Sequence, residues 1–188
     1  FNVALGLARL GHSVGFFSAL STDFLGSRLA KSLETEGVST QHLIRKDAPT
    51  TLSVVGVGAD GSPSYAFYGQ DAADRSIEVG DLPKIGDDIC ALHFGSYSLV
   101  SAPTADALAA LMEREAGKRL ISVDPNVRLG VEPDIGVWKS RMDQILPFAD
   151  LVKISDEDIQ ALFPGMAPDA FAGQCIGRGT GLVVVTKG

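Results

Sequence analysis

Apolar positions recur at helical spacing from the first residues. Ala4, Ala8 and Gly11 make a stripe of small residues, and Val3, Leu7 and Leu10 an aliphatic one. The spacing predicts a helix over 1–11 whose small face can approach a sheet closely, with Gly11 as its C-terminal cap. Residues 14–20 predict a buried strand. Thr22 or Asp23 then caps a second helix that runs to Glu36 and stops at Gly37. The middle of the chain changes period. Residues 51–58 and 64–69 are β-rich and flank Ala59-Asp60-Gly61-Ser62, and Asp-Gly between two such runs predicts a hairpin.

Beyond the hairpin, strand and helix patterns alternate. Apolar runs over 89–94, 120–123, 151–154 and 182–186 predict strands. Helical patterns over 104–116, 135–146 and 156–163 separate them, with a second short helix before the last strand. Strands alternating with amphipathic helices predict an α/β fold with a parallel sheet covered on both faces. The hairpin reads as a small lid projecting from that sheet. The expected organisation is an α/β core over 1–45 and 72–188, with a β-hairpin lid insertion over 46–71.

Composition narrows the partners. A net charge of −7 leaves no basic stripe for phosphate backbones, so a nucleic-acid surface is not expected. No apolar run reaches the roughly 20 residues of a membrane span. The chain has the composition of a mildly acidic, soluble cytoplasmic protein. Cys90 and Cys175 lack metal-binding spacing and read as free thiols used as small hydrophobes.

In an open parallel sheet, ligands bind beyond the carboxyl ends of the strands. The residues that follow each predicted strand are therefore the candidates. They are Gly95-Ser96-Tyr97, Asp124-Pro125-Asn126-Val127-Arg128, Ser155-Asp156-Glu157-Asp158 and Thr186-Lys187-Gly188. An Arg, carboxylates, a Lys and hydroxyls at one edge suit a phosphorylated ligand and a divalent cation. Each has a plainer structural use: Asp124-Pro125-Asn126 as a turn, Ser155 and its acidic neighbours as a helix N-terminus. His12, His42 and His93 lack mutual metal spacing and read as surface or packing residues, and Trp138 as core. Gly177-Arg178-Gly179-Thr180-Gly181 precedes a strand instead of following one, so it is not a dinucleotide loop. Gly58-Ala59-Asp60-Gly61 belongs to the hairpin turn.

Taken in order, these motifs resemble the ribokinase, or PfkB, family of carbohydrate kinases, and within it the bacterial fructokinases. The resemblance runs through Asn2-Val3-Ala4 with Gly11, Asp23-Phe24-Leu25-Gly26 and Phe67-Tyr68-Gly69 with Ala72-Ala73-Asp74-Arg75. It continues through His93-Phe94-Gly95-Ser96, Asp124-Pro125-Asn126-Val127-Arg128 and 149–155. It implies a doubly wound, mostly parallel sheet flanked by helices, with a small β lid. It implies transfer of the γ-phosphoryl of ATP, with Mg²⁺, to a hydroxyl of a neutral sugar, fructose foremost. By resemblance Asn2 grips sugar hydroxyls, Phe67 closes over the sugar, and Tyr97 lines its pocket. Arg128 matches a family Arg near sugar and phosphoryl and carries the catalytic assignment.

On the nucleotide side Ser155 and Asp158 stand where the family has Asn-x-x-Glu, with Asp158 reaching the metal indirectly. Thr186 and Gly188 match the family's Thr-x-Gly along the ATP phosphates. Gly69 stands where kinases of acidic keto sugars place an Arg, which favours a neutral sugar. The family's lid surfaces pair subunits, so a homodimer through the lid is expected. The alternatives are a kinase of another neutral sugar or a nucleoside, and a non-catalytic sugar-binding protein on the same fold.

The chain starts inside a helix without an initiator Met, and is expected to be cut at both ends. The family's general-base Asp, in Gly-Ala-Gly-Asp, is expected beyond Gly188. A general base is worth about 10²–10⁴-fold, and the amides around it form the anion hole. The 188-residue chain assayed alone with ATP and fructose is therefore expected to show no turnover. A rate matching that of the whole protein would refute this.

Overall fold

A computed structural model describes residues 1–58, 61 and 63–187, and divides the chain into two units, Phe1–Pro83 and Lys84–Gly188. The first unit carries α1 (Asn2–Arg9), β1 (Ser18–Ser21), α2 (Phe24–Thr35) and β2 (Leu43–Lys46), followed by β3 (Leu52–Val57) and β4 (Pro63–Tyr68). The small-residue stripe of α1 is the one that faces inward. Ala4 is buried with Leu33 and Val38, and Ala8 packs against that cluster. Val3, Leu7 and Leu10 stay exposed. Gly11 ends the helix at φ +86°, its N–H donating to the Ala8 carbonyl at 2.9 Å. The next N–H, of His12, donates to the Leu7 carbonyl at 3.1 Å. A left-handed residue that satisfies the last carbonyls is the usual helix stop.

β1 starts at Ser18, later than the expected strand over 14–20. Ahead of it, only an isolated bridge between Gly15 and Ser39 pairs the chain. β1 lies parallel to β2, from Ser18↔Leu43 to Ser21↔Lys46. Sequence reading does not find β2: it is four residues, two of them cationic, and no residue of it is buried. β3 and β4 form the expected antiparallel hairpin, from Leu52↔Tyr68 to Val57↔Pro63. Gly61 near its tip has φ +81°, while the predicted turn residue Asp60 lies outside the described residues.

The β1–α2 junction is tightly made. Asp23 caps α2 through a 2.7 Å bond from the Gly26 N–H. Its carboxylate also accepts the Thr50 N–H at 3.1 Å and the Thr50 hydroxyl at 2.8 Å. One side chain thus ties a helix start to the segment that leads into the hairpin. Gly26 is required there, because a Cβ would fall 2.1 Å from the Ser21 carbonyl oxygen.

The second unit alternates β5 (Ala91–Gly95), α3 (Thr104–Glu115), β6 (Leu120–Asp124), α4 (Ile135–Ile145), β7 (Leu151–Ser155), α5 (Asp156–Leu162), α6 (Pro168–Gly177) and β8 (Leu182–Thr186). Its sheet has the order β5-β6-β7-β8, all parallel. Phe94, Ile121, Val123, Val152 and Ile154 are buried at alternate strand positions. Leu108 and Met112 of α3, Trp138 and Met142 of α4, and Ile159 and Leu162 of α5 complete the buried apolar core. Burial at about 25 cal/mol per Å² makes this the main stabilising term. Trp138 is core, as expected, and its indole N–H donates to the Glu132 carbonyl at 3.0 Å. β5 starts at Ala91 instead of Ile89 because the Ile89 carbonyl accepts the Arg119 guanidinium. Both cysteines are free, Cys175 buried and Cys90 exposed, so only Cys175 serves as a packing group. The α/β class, with a parallel sheet flanked by helices, is the expected one.

Two outcomes follow from the β1–α2 junction. Gly26→Ala should destabilise the chain by about 3 kcal/mol or more in denaturant unfolding, since backbone must move to admit the methyl. The Gly26 amide, then the Thr50 and Ser21 groups, outweigh burial and pull the Asp23 carboxyl down to about 2. A depressed acid stabilises the fold above its unfolded value near about 4, and that contribution is lost as pH falls toward 2. The melting-temperature gap between wild type and Asp23→Asn should therefore be full at pH 5 and close between pH 4 and 2. A gap independent of pH would refute this assignment.

Candidate functional site

Parallel pairing sets the carboxyl ends of β5 to β8 along one edge of the second unit. Gly95 is the partner of Asp124, and Ser155 the partner of Thr186. Gly95 permits close approach there, because a Cβ would sit 2.7 Å from the Asp124 carbonyl oxygen. The residues just beyond β5 and β6 are left-handed, Ser96 at φ +62° and Asn126 at φ +42°. The Ser96 hydroxyl donates to the Asn126 carbonyl at 3.4 Å. Non-glycine residues in this region are held there by their surroundings and cluster at functional sites.

Ser155 caps α5, accepting the Asp158 N–H at 3.0 Å. Asp158 is buried at 9% exposure, and its Oδ1 accepts the Val127 N–H at 3.2 Å. Burial pushes the Asp158 carboxyl above its ordinary range, and the nearby Asp124 charge adds to this. The Ser155 and Val127 hydrogen bonds and the Arg128 charge act the other way. Arg128 is exposed, and its Nη1 donates to the Val127 carbonyl at 2.8 Å. Four predicted residues, Arg128, Ser155, Asp158 and Thr186, thus belong to one strand-end cluster. Tyr97, half-buried, lies one turn beyond β5. Gly188 lies outside the described residues.

One member of the cluster, Lys153, was not singled out from sequence. Lys153 Nζ lies 3.1 Å from Asp124 Oδ2. The pair is 37% and 18% exposed, so its attraction is worth only about 0–1 kcal/mol. Asp124 Oδ1 is buried without a partner, which costs about 1–3 kcal/mol. The pair does not repay its own desolvation. The signal in the sequence was a cation between buried Val152 and Ile154, at a position that alternation turns to the other face. Further down that face, His93 Nδ1 and Ser122 Oγ are 3.0 Å apart, bridging β5 and β6.

The first unit holds the remaining predicted residues. Asn2 is the exposed first residue of α1. Phe67, half-buried on β4, pairs with Ser53 and shares a face of the hairpin with Val55. Gly69 is buried where a Cβ would fall 2.7 Å from Arg75 Nη2 and 2.9 Å from Thr51 Oγ1. An open cleft of about 370 Å³ lies between Ser21–Asp23 and Asp47–Pro49, lined by Asp23 and Asp47 among others. Among the described residues no three His, Cys, Asp or Glu side chains gather as a metal cage. No described helix is long and apolar enough to cross a membrane.

A family model described as pfkB family carbohydrate kinase matches residues 1–188. The chain belongs to the pfkB family. A fructokinase of Rhizobium leguminosarum bv. trifolii is 38% identical over 188 residues, covering all of this chain and 57% of that protein. A Salmonella typhimurium fructokinase is 33% identical over 161 residues, 84% of this chain and 52% of that protein. Among solved structures, a Xylella fastidiosa fructokinase superposes with TM-score 0.87 at 32% identity, covering 99% of this chain and 61% of that one. A Vibrio cholerae O395 fructokinase in fructose, ADP and calcium ion bound form gives TM-score 0.84 at 28% identity, covering 98% and 60%. The chain therefore spans a little over half the length of these pfkB relatives. Their ribokinase-like fold is the one the motifs implied.

Two substitutions separate capping from charge in this pfkB cluster. Ser155→Ala should cost about 1 kcal/mol through loss of the α5 cap, read by denaturant unfolding. An acid raised in the folded state loses stability as pH climbs through the window above its unfolded value. Asp158→Asn keeps an acceptor for Val127 and removes that charge. Its melting temperature should match or exceed wild type at pH 7, and the advantage should vanish toward pH 4. A variant less stable at pH 7 than at pH 4, relative to wild type, would sink this reading.

Proposed function

We propose that the whole protein is an ATP-dependent kinase of a neutral sugar, fructose foremost, acting in the cytoplasm. The observation that carries this reading is the cluster of Arg128, Ser155, Asp158 and Thr186 at the ends of neighbouring parallel strands. A guanidinium, a capped helix start and hydroxyls at a sheet edge make an anion-binding edge suited to phosphate. Identity of 38% to a fructokinase along all 188 residues supports the sugar. So does the Vibrio cholerae relative, which binds fructose and ADP with a calcium ion. Gly69 supports a neutral substrate, because it carries no side chain where acidic-sugar kinases place an Arg, and a Cβ there would fall 2.7 Å from Arg75 Nη2.

The residues take separate roles. The Asn2 amide offers a donor and an acceptor to neighbouring hydroxyls of the sugar. Phe67 supplies an apolar cover that keeps water from the reacting hydroxyl, and Tyr97 lines the sugar pocket. Arg128 neutralises charge that develops on the transferring phosphoryl. Ser155 and Thr186 present hydroxyls to the phosphate chain, and Gly188 its backbone. Mg²⁺ keeps several waters and needs only one or two carboxylates beside the phosphates. Asp158 fits that need, reaching the ion through water, and the buried free oxygen of Asp124 adds acceptor capacity beside it. Bound there, the ion would supply charge neutralisation between the phosphates. The exposed apolar strand β3 is the surface through which two copies would pair.

The test is a panel of neutral sugars, acidic keto sugars and nucleosides with the whole protein, ATP and Mg²⁺. Fructose should give the highest kcat/KM. Arg128→Ala should lower kcat by about 10²–10³-fold, the loss typical of one charge-stabilising donor. Asn2→Ala should raise the sugar KM about tenfold, as one lost hydrogen-bonding group does. A protein that binds sugar but leaves ATP intact would favour a binding module on the same fold.

A further inference from the structure

The connection between β6 and α4 is tied to the next strand and helix at two points. At its start, Asp124 Oδ2 lies 3.1 Å from Lys153 Nζ on β7. Near its end, the Val127 N–H donates to Asp158 Oδ1 on α5 at 3.2 Å. Between the two ties Asn126 is left-handed, and its carbonyl accepts the Ser96 hydroxyl. Arg128 follows at once, with its guanidinium bonded to the Val127 carbonyl at 2.8 Å. The Val127 amide thus bonds Asp158 and its carbonyl bonds the Arg128 side chain, so what fixes this connection also fixes the guanidinium.

Stability does not account for the Lys153–Asp124 tie. Both groups are partly in water, and the second carboxylate oxygen is buried without a partner. Apolar residues in place of both partners would spare Asp124 its desolvation. Local arrangements that sacrifice stability in this way are expected where function sets the geometry.

We propose that Lys153 is a positioning residue for phosphoryl transfer. Its ion pair with Asp124 anchors the start of the 124–128 connection, and with the Val127–Asp158 bond it holds Arg128 in one orientation. Lys153 acts through Asp124 and does not contact either substrate. The inference rests on the kinase reading given above.

The experiment compares Lys153→Met, Lys153→Arg, Asp124→Asn and the Lys153→Met/Asp124→Asn pair in the whole protein. Lys153→Met should lower kcat about 10–100-fold while both KM values stay within about threefold, the pattern of an interaction that matters only in the transition state. Lys153→Arg should recover most of the rate. The double variant should be no slower than the slower single one, because the two residues act as a unit. Hydrogen exchange at the amides of 124–128 should quicken about tenfold in Lys153→Met with the melting temperature unchanged. A kcat within twofold of wild type overturns the proposal. So does a rise confined to the KM for ATP, which would mark a direct phosphate contact, or a rate loss that only follows lost stability. The exchange measurement needs no turnover. If no sugar is phosphorylated, the kinase reading fails while exchange still judges the tie; unchanged exchange removes the positioning role alone.

Discussion

Parallel strands cannot be joined by tight turns; each pair needs a crossover, most often a helix. In the second unit that constraint sends the chain from β5 through α3, β6, α4, β7, α5 and α6 to β8, always in the same sense. Every strand then ends at the same edge, and every strand–helix connection starts there. Asp124, Arg128, Ser155 and Thr186 come from far-apart stretches of sequence, yet share this edge because the pairing leaves no alternative. The chemistry of the unit is a consequence of its sheet topology before it is a consequence of any one side chain.

How much of this was legible in the sequence depended on the kind of signal. Long periodic stretches declared themselves: α3, α4 and β8 lie within a residue or two of where the pattern put them. β2 did not, because its strand character comes from pairing with β1 and not from its own residues. The start of β1 was misplaced for the same reason, since 14–17 are apolar but find only one bridging partner. At the site, residues that follow strands were found by position alone. Lys153 escaped because it sits inside a strand, and its role rests on which face it takes and on what stands across from it. Composition carries no such information. Its neighbour Asp124 was visible as part of a motif, but the free buried oxygen that makes it unusual is a tertiary fact.

The strand-end cluster is held against the grain of stability. Asp158 is buried with its carboxyl raised, Asp124 keeps an unpartnered oxygen, and Ser96 and Asn126 sit in left-handed conformations. The apolar core beneath, with Ile121, Val123, Val152 and Ile154 fully buried, is what can bear these costs. Sites that must stabilise charge which appears only during reaction need groups oriented beforehand, and groups oriented for a reacting species are imperfectly paired without it. The same clash of aims explains why the Val127–Asp158 bond is useful: it uses a backbone donor, which cannot swing away, to fix a carboxylate that burial disfavours.

On the kinase reading proposed above, Gly69 bears on substrate preference. Recognising an acidic sugar requires a cation near its carboxylate, and a guanidinium fork is the natural choice. A Cβ at Gly69 would fall 2.7 Å from Arg75 Nη2 and 2.9 Å from Thr51 Oγ1, so a side chain there must displace both groups. Thr51 is in turn fixed by its 2.6 Å bond to Asp74, and Ala73 by its 2.9 Å bond to the Pro49 carbonyl. Of the two obstructing groups, Thr51 is held by that bond, and the Arg75 guanidinium ends a long side chain. The Arg75 guanidinium already stands in that space, so a second cation at 69 would meet like charge as well as crowding.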